Sequence, residues 1–441
     1  MRRPAYPLPT AWFAALVALS AVGFFFWSGT EWFVLAAVEA ALLGLFVVDA
    51  LLCVSPSKVT VTREAPDAMT MGEAAELTWL IDNTSTRPAR LVVSDALWPS
   101  LGAERRRVTG TVPGGSRLRA RTTLRPSRRG RFPLRDVTVR TGGPMRLACR
   151  QATRAVPGGL RVMPAYPSRD EVLRRIRIPR VLEVGMKSIR TSGGGTEFDQ
   201  LRDYRPDDEF KRINWPATVR LGRPIVQQYR AERNQNVVLL LDNGRVMAGT
   251  VGGVPRVEHA MDAVLGVVQA ANRLGDRVGM LAFDRQVRAI VVPTNGKGQL
   301  ARAAEAMYQL ETDYSESAYQ VAFATATQRF RRRSLYIVLT DLVEAVVEQA
   351  LLPALPIITR RHLVVVASVQ DPTVVDWAKG GDHRWAGEAY REAAAVNAMA
   401  QRARSVARLR AAGAVVVDAE PGRLAVELVD TYLELKASGK L

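Results

Sequence analysis

The chain has 441 residues, 48% of them apolar, and carries 61 Lys and Arg against 43 Asp and Glu, a formal charge of +18. This length suits two or three domains, and the apolar content excludes a disordered tail. Two distant cysteines, Cys53 and Cys149, and three histidines, His259, His362 and His383, argue against a disulfide framework, a zinc ribbon and a histidine-rich metal centre.

Residues 11 to 28 and 32 to 54 are almost wholly apolar. Each is near the ~20 residues that cross the hydrocarbon core as a helix. Only Ser28-Gly29-Thr30-Glu31 separates them, so residues 1–57 are expected to form a two-helix transmembrane hairpin with both ends on one side. The first run lacks a convincing small-residue cleavage site, which argues against a removable signal. Arg2 and Arg3 precede the hairpin, Lys58 and Arg63 follow it, and its tight turn carries no base. The positive-inside rule then puts both termini and the soluble domains in the cytoplasm, making the chain a multi-pass protein of the cytoplasmic membrane. Glu39 and Asp49 fall inside the second run. An intramembrane acid marks a functional candidate; Glu39, the deeper one, is the candidate for contact with another membrane protein, whereas Asp49 is close enough to the helix end to reach the interface.

Residues 58–165 change to short alternating runs, among them Leu77-Trp79-Ile81, Leu91-Val93 and Val137-Val139, broken by Gly, Pro and Asn turns. That spacing predicts a small β-sandwich. Between 103 and 161 sixteen arginines face only Glu104 and Asp136. Beside a membrane anchor such a surface suits anionic lipid, with Arg105, Arg106, Arg128 and Arg129 as examples. Sparse aromatics and the lack of a recognisable module argue against nucleic acid.

Residues 166–236 begin as a basic linker and continue into a dense mixture of charges from Gly193 onward. Phe198, Leu201 and Tyr204 recur at a three-residue step, which predicts a short helix. Pro206, three acids and then Lys211-Arg212 predict a second, ending at Trp215 because Pro216 follows. The stretch reads either as a recognition surface of paired charges or as a salt-bridged connector. From 237 to 441 strand runs alternate with helical patterns, which predicts a doubly wound, mostly parallel α/β domain. Val237 to Leu241 is a continuous apolar run ending on Asp242, the end of a parallel strand where ligands bind. No GxxxxGK[ST] loop follows any strand, so nucleotide hydrolysis is not expected.

The residues Gly195, Glu197-Phe198, Leu201-Arg202-Asp203-Tyr204, Asp208, Arg212-Ile213-Asn214-Trp215, Arg220 and Asp242 together resemble the signature of family fifty-eight of the domains of unknown function, bacterial von Willebrand factor A-like proteins. Gly275-Asp276-Arg277-Val278-Gly279, Thr340-Asp341-Leu342 and Tyr432-Leu433-Glu434-Leu435-Lys436 extend the resemblance over most of the chain. Asp207 and Asn214 depart from it, standing where glycine and aspartate are usual. Within the signature, Glu197, Arg202, Asp203, Tyr204, Asp208, Arg212, Trp215 and Arg220 are the candidate binding residues.

The resemblance implies a von Willebrand A-like fold for 237–441. It also implies a possible magnesium site built from an Asp-x-Ser-x-Ser turn, a threonine loop and a third aspartate. Asp242 matches the first aspartate, Thr312 or Asp313 could serve the second loop, and Thr340-Asp341 fits the third; Gly244 and Val246 replace the two serines. The expectation is a degenerate site holding Mg²⁺ weakly or not at all, and Gly244→Ser with Val246→Ser is expected to restore it. Helix capping by the two aspartates, or an acidic cleft for a partner's arginine or lysine, are the alternatives. The function expected is non-enzymatic: a membrane-anchored adaptor for other proteins. The resemblance adds a MoxR-type AAA+ ATPase as partner and a role in assembly or maturation. A metal-dependent hydrolase using Asp242, Asp313 and Asp341, and an anionic-lipid or envelope sensor, are the competing readings.

Overall fold

The computed structural model describes residues 6–25, 32–177, 197–205, 208, 210, 213–230, 235–312, 314–381, 385–438 and 441, with side chains left out at Arg177, 197–200 and 227–230. The chain divides into two compact units, Met1–Met163 and Pro164–Leu441.

The first unit opens with β1 (Pro7–Pro9) and two apolar helices, α1 (Ala11–Phe25) and α2 (Trp32–Leu52). They run antiparallel: Phe13 meets Phe46 at 4.9 Å between ring centroids, and the Ser20 hydroxyl donates to Glu39. Glu39, expected as a contact for another protein, thus has a partner on α1. Among the described residues one helix, starting at Trp32, is long and apolar enough to cross a membrane, while α1 as described is shorter. Asp49, with Ala50 beside it, is buried near the end of α2, whose apolar surface is otherwise largely exposed. The Asp49 carboxylate accepts the backbone N–H groups of Met145, Leu147 and Ala148 at 2.7, 2.7 and 2.8 Å. Three amide donors satisfy a desolvated carboxylate, so this acid fastens the helix to a turn of the β structure.

That β structure has nine strands: β1, β2 (Val59–Glu64), β3 (Ala68–Thr70), β4 (Ala75–Asn83), β5 (Ala89–Asp95), β6 (Arg107–Val112), β7 (Arg117–Leu124), β8 (Gly130–Gly142) and β9 (Ala148–Met163). One sheet runs β1-β9-β8-β5-β6 with β3 on β9, and the other runs β2-β4-β7. Their inward residues, including Leu77, Trp79, Val93, Val139 and Val162, share one core. A buried fork joins the layers: Arg63 pairs with Asp95 at 2.7 Å, and the Trp79 indole donates to the same carboxylate at 2.7 Å.

The second unit begins with α3 (Arg169–Arg177), in the stretch expected as a linker. Val172 and Ile176 are buried in the core of this unit, so the apolar pair inside a basic segment makes a packed helix. Next come β10 (Glu197–Asp203) and β11 (Ile225–Arg230), an antiparallel ribbon with α4 (Trp215–Leu221) in its connection. The expected helix over 198–204 is therefore a strand. A register shift between Phe198 and Gln200 inserts one residue into the period of two and mimics a three-residue step. Pro216 starts a helix instead of ending one: it occupies the first turn, where a missing N–H costs nothing, and Asn214 caps that turn through Ala217 N at 3.0 Å. Asparagine and aspartate cap equally well, which accounts for Asn214 in an aspartate position. Asp207 lies outside the described residues.

The main sheet contains β12 (Asn236–Asp242), β15 (Arg277–Phe283), β16 (Val287–Thr294), β17 (Ser334–Leu339), β18 (Leu363–Val369) and β19 (Val415–Ala419); β13 (Thr250–Val251) and β14 (Val254–Pro255) form a separate small ribbon. Its order is β16-β15-β12-β17-β18-β19, parallel except for β16. Helices α5 (Arg256–Arg273), α6 (Gln299–Met307), α7 (Tyr319–Arg329), α8 (Ala386–Ala411) and α9 (Leu424–Ala437) are the longer connections. Apolar clusters cover the sheet on both faces, one including Leu239, Val264 and Leu428, the other Leu240, Phe323 and Val366. Full burial of β12 explains its unbroken apolar run.

Candidate functional site

Strand order reverses about β12, which has β15 on one side and β17 on the other. The crevice beyond the carboxyl ends of β12 and β17 is thus the topological switch point, where open parallel sheets bind ligands. Asp242 ends β12 there and is fully buried. Its carboxylate accepts from the hydroxyls of Ser317 (2.5 Å), Tyr319 (2.7 Å) and Thr340 (2.6 Å) and from Gly244 N (2.9 Å). Burial pushes the Asp242 carboxyl upward, and these four donors oppose the rise. The Tyr319 phenol, at the start of α7, fills the crevice, with its ring edge-on to Phe283 at 5.5 Å and Phe323 at 6.1 Å. Burial and the Asp242 charge hold that phenol well above its ordinary range, so it stays a proton donor.

Asp341, the next residue along β17's exit, belongs to a second network. Arg402 on α8 reaches Asp341 at 3.0 Å, Asp418 at 2.7 Å, Ser368 Oγ at 2.7 Å and the Val369 carbonyl at 3.0 Å. Arg256 Nε adds an ion contact to Asp341 at 3.3 Å, without hydrogen-bond geometry. Burial opposes the charge on Arg402, but Asp418 and Asp341 outweigh it and raise its pKa. The arginines on this acid come from its own chain, not from a partner.

These donors do not fit Mg²⁺ as folded. Both oxygens of Asp242 are engaged by four hydrogen bonds, and the positive charge an ion would bring to Asp341 is supplied by Arg402 and Arg256. Among the described residues no group of three or more His, Cys, Asp or Glu could hold a metal ion. Thr312 is half-buried and makes no hydrogen bond to the cluster among the described residues, and Asp313 lies outside them. The loop does contribute, but through Ser317 and Tyr319, a few residues further on.

Ser317 also explains Gly244. A Cβ built at Gly244 would lie 2.1 Å from Ser317 Oγ, so the hydroxyl that a serine at 244 would bring is already delivered from another loop. Val246 packs against the apolar core. The serine restoration expected from the sequence is therefore corrected. Gly244→Ser should destabilise the second unit by about 1–3 kcal/mol, and millimolar Mg²⁺ should leave the melting temperature of either protein unchanged. A Mg²⁺-dependent rise in the unmodified chain that Asp242→Ala abolishes would show a working ion site.

The signature residues occupy the β10–β11 ribbon. Arg202 forks onto Asp208 at 2.7 and 2.5 Å, and Arg205 N adds a third bond to that carboxylate at 2.8 Å. Hydrogen bonding to Arg202 holds Asp208 below the usual carboxylate range. Asp203 pairs with Arg223 at 3.1 Å, and Tyr204 N bonds the Pro224 carbonyl at 2.9 Å. Arg220 is exposed near the end of α4. Glu197 lies in β10, while Arg212 is outside the described residues. Trp215 and Phe210 meet edge to face at 6.0 Å while remaining 56% and 68% exposed; Val219, one turn beyond Trp215, is 81% exposed.

Fold and site together define a parallel α/β domain with a closed hydroxyl–carboxylate cluster at its switch point and a charged ribbon beside it in sequence. Residues 200–414 match the family model "Protein of unknown function DUF58". Two similar proteins are "Uncharacterized protein Rv1480" of Mycobacterium tuberculosis and "Uncharacterized protein Mb1516" of Mycobacterium bovis, each 24% identical over 193 residues, 43% of this chain and 60% of theirs. The aligned part thus spans about 60% of the length of these relatives. Among solved structures, the CARDB domain of PF1109 from Pyrococcus furiosus matches 24% of this chain and 94% of its own at 12% identity, with a TM-score of 0.17. The mussel byssus proximal thread matrix protein 1, with a zinc occupied MIDAS motif, matches 46% of each chain at 11% identity, with a TM-score of 0.28.

Proposed function

We propose that this chain is a non-enzymatic, membrane-anchored scaffold whose von Willebrand A-like unit binds another protein. The observation that carries the reading is the contrast between the two parts of the second unit. The switch-point acids are buried and internally paired, whereas Phe210, Trp215 and Val219 hold large apolar surface in water on the signature segment. Exposed aromatics beside fixed charges are what an interface core and its rim require. The apolar surface of α1 and α2 is what a membrane hairpin requires, and the basic residues Arg2, Arg3, Lys58 and Arg63 at its ends favour the cytoplasm for the rest of the chain. The family resemblance points to a MoxR-type AAA+ ATPase as partner and to assembly or maturation of other proteins as the process.

Affinity purification of the detergent-solubilised chain tests this directly. A AAA+ ATPase should co-purify in stoichiometric amount and survive EDTA. Phe210→Ala with Trp215→Ala should weaken its retention by at least about tenfold, as loss of an aromatic anchor pair of 2 kcal/mol or more would. Turnover of a small substrate by the purified chain alone, or full retention by the double variant, would overturn the scaffold reading.

A further inference from the structure

An open cleft in the first unit lies where the helices join the sheet, lined by Thr10, Trp12, Arg90, Arg140, Gly143 and Arg146 among others. Three features make it a built site. Arg90 on β5 lies opposite Gly142 and Arg140 on β8 lies opposite Val92, so the two arginines are diagonal neighbours on the outer sheet face, with no side chain at Gly142 between them. Like charges so placed repel unless an anion sits between them. Arg90, Arg140 and Arg146 are exposed, and none forms an ion pair among the described residues.

Arg146 is held there. It is the one non-glycine residue with positive φ (65°) among the described residues. Its turn is fixed by Asp49 on the N–H groups of Met145, Leu147 and Ala148, and by the Thr10 hydroxyl, which donates to the Arg146 carbonyl at 2.5 Å. Backbone strain kept by so many anchors points to a positioned side chain. Thr10 also caps α1 by accepting from Phe13 N at 3.3 Å, so the positive end of a 15-residue helix adds to the field of the arginines.

We propose that this cleft binds the phosphate group of an anionic membrane phospholipid, gripped by Arg90, Arg140 and Arg146. The inference rests on the reading that α1 and α2 lie in a membrane. The cleft then falls at the headgroup level, with Trp12, 64% exposed, at the boundary its amphipathic ring favours. Leu16 on α1 and Leu51 on α2 are also exposed and belong to the apolar helix surface along which acyl chains can lie. A free phosphate ion would satisfy the arginines but leave that surface without a role.

The test uses the full chain in detergent, with phosphatidylglycerol and phosphatidylcholine offered in equal amount and bound lipid counted by native mass spectrometry. At least one phosphatidylglycerol should be retained in preference to phosphatidylcholine. Arg90→Gln with Arg140→Gln should weaken that retention by at least about tenfold, whereas Arg331→Gln with Arg332→Gln, which removes the same charge from an exposed segment of the second unit, should not. If the double variant does not fold, Arg140→Gln alone should show a smaller loss in the same direction. Equal retention of both lipids, or displacement of phosphatidylglycerol by millimolar inorganic phosphate alone, overturns the lipid site. Carbonate washing of the source membranes separates the two readings: a chain that stays with the membrane but shows no lipid preference refutes the site only, whereas a chain that washes off refutes the membrane reading and the site with it.

Discussion

Arg402→Met should lower the stability of the second unit by about 3–5 kcal/mol, the range for leaving buried charges without their partner. Methionine keeps most of the aliphatic volume, so the loss reports charge and hydrogen bonding, not a cavity. Arg402 is the shared cation of Asp341 and Asp418, and it also donates to Ser368 and the Val369 carbonyl. Removing it leaves two carboxylates, 5% and 18% exposed, facing each other across the carboxyl end of the sheet. Arg256 reaches only Asp341 and cannot serve both. Adding Asp341→Asn and Asp418→Asn to Arg402→Met should recover most of the loss, because neutral amides tolerate the same burial. The measurement is thermal or urea unfolding of the detergent-solubilised chain, following the transition of the second unit. A single variant within about 0.5 kcal/mol of the parent, the range of ordinary surface changes, would mean that water reaches these acids and that the network is not closed.

This network shows where the sequence stops being informative. The strands carrying Asp242 and Asp341 are legible because parallel strands buried on both faces must be apolar along their whole length, and a carboxylate ending such a run stands out. Arg402 does not stand out. It lies on an alanine- and arginine-rich helix where its neighbours Arg404 and Arg408 make more exposed pairs with Glu344 and Glu348, and nothing local says which arginine points inward. Ser317 and Tyr319 were hidden for another reason. A loop can deliver a hydroxyl to Asp242 from any of several positions, and here it does so from 317 and 319, not from 312. The steric demand at Gly244, visible only once Ser317 is in place, records that choice.

The signature divides in the same way. Gly275 has φ +82°, the left-handed position after a helix end, and a Cβ at Gly279 would meet the Pro293 ring at 2.6 Å. Asn214 is a helix cap, and Arg202 with Asp208 closes a turn. These residues shape the fold, which removes them from the binding surface suggested by their charge. Phe210 and Trp215 do the reverse. Large aromatic residues are usually buried, yet both stand in water, and that mismatch between residue type and environment is the observation on which the scaffold reading depends.

The last expected result joins two signature segments 156 residues apart. Asp276, fully buried at the entrance to β15, accepts from the Tyr432 hydroxyl at 2.5 Å, from the Lys436 ammonium and from Gln235 N at 3.2 Å. Tyr432 and Lys436 lie one turn apart on α9, so the motif Tyr-Leu-Glu-Leu-Lys places phenol and ammonium on one face and clamps the last helix to the amino-terminal end of the sheet's strands, the end opposite Asp242. Burial and the charge on Asp276 push the Tyr432 phenol well above its ordinary range, so it remains a donor. Asp276→Ala should cost about 3–5 kcal/mol, because it strands an ammonium that is only 20% exposed and a buried phenol. Lys436→Met should cost less, since Tyr432 and Gln235 still serve the carboxylate. In the double variant the two losses should fall short of their sum by at least about 1 kcal/mol, the signature of residues in direct contact. Unfolding of all three proteins measures it, and strict additivity would show that Asp276 and Lys436 act independently and that no such clamp holds the helix.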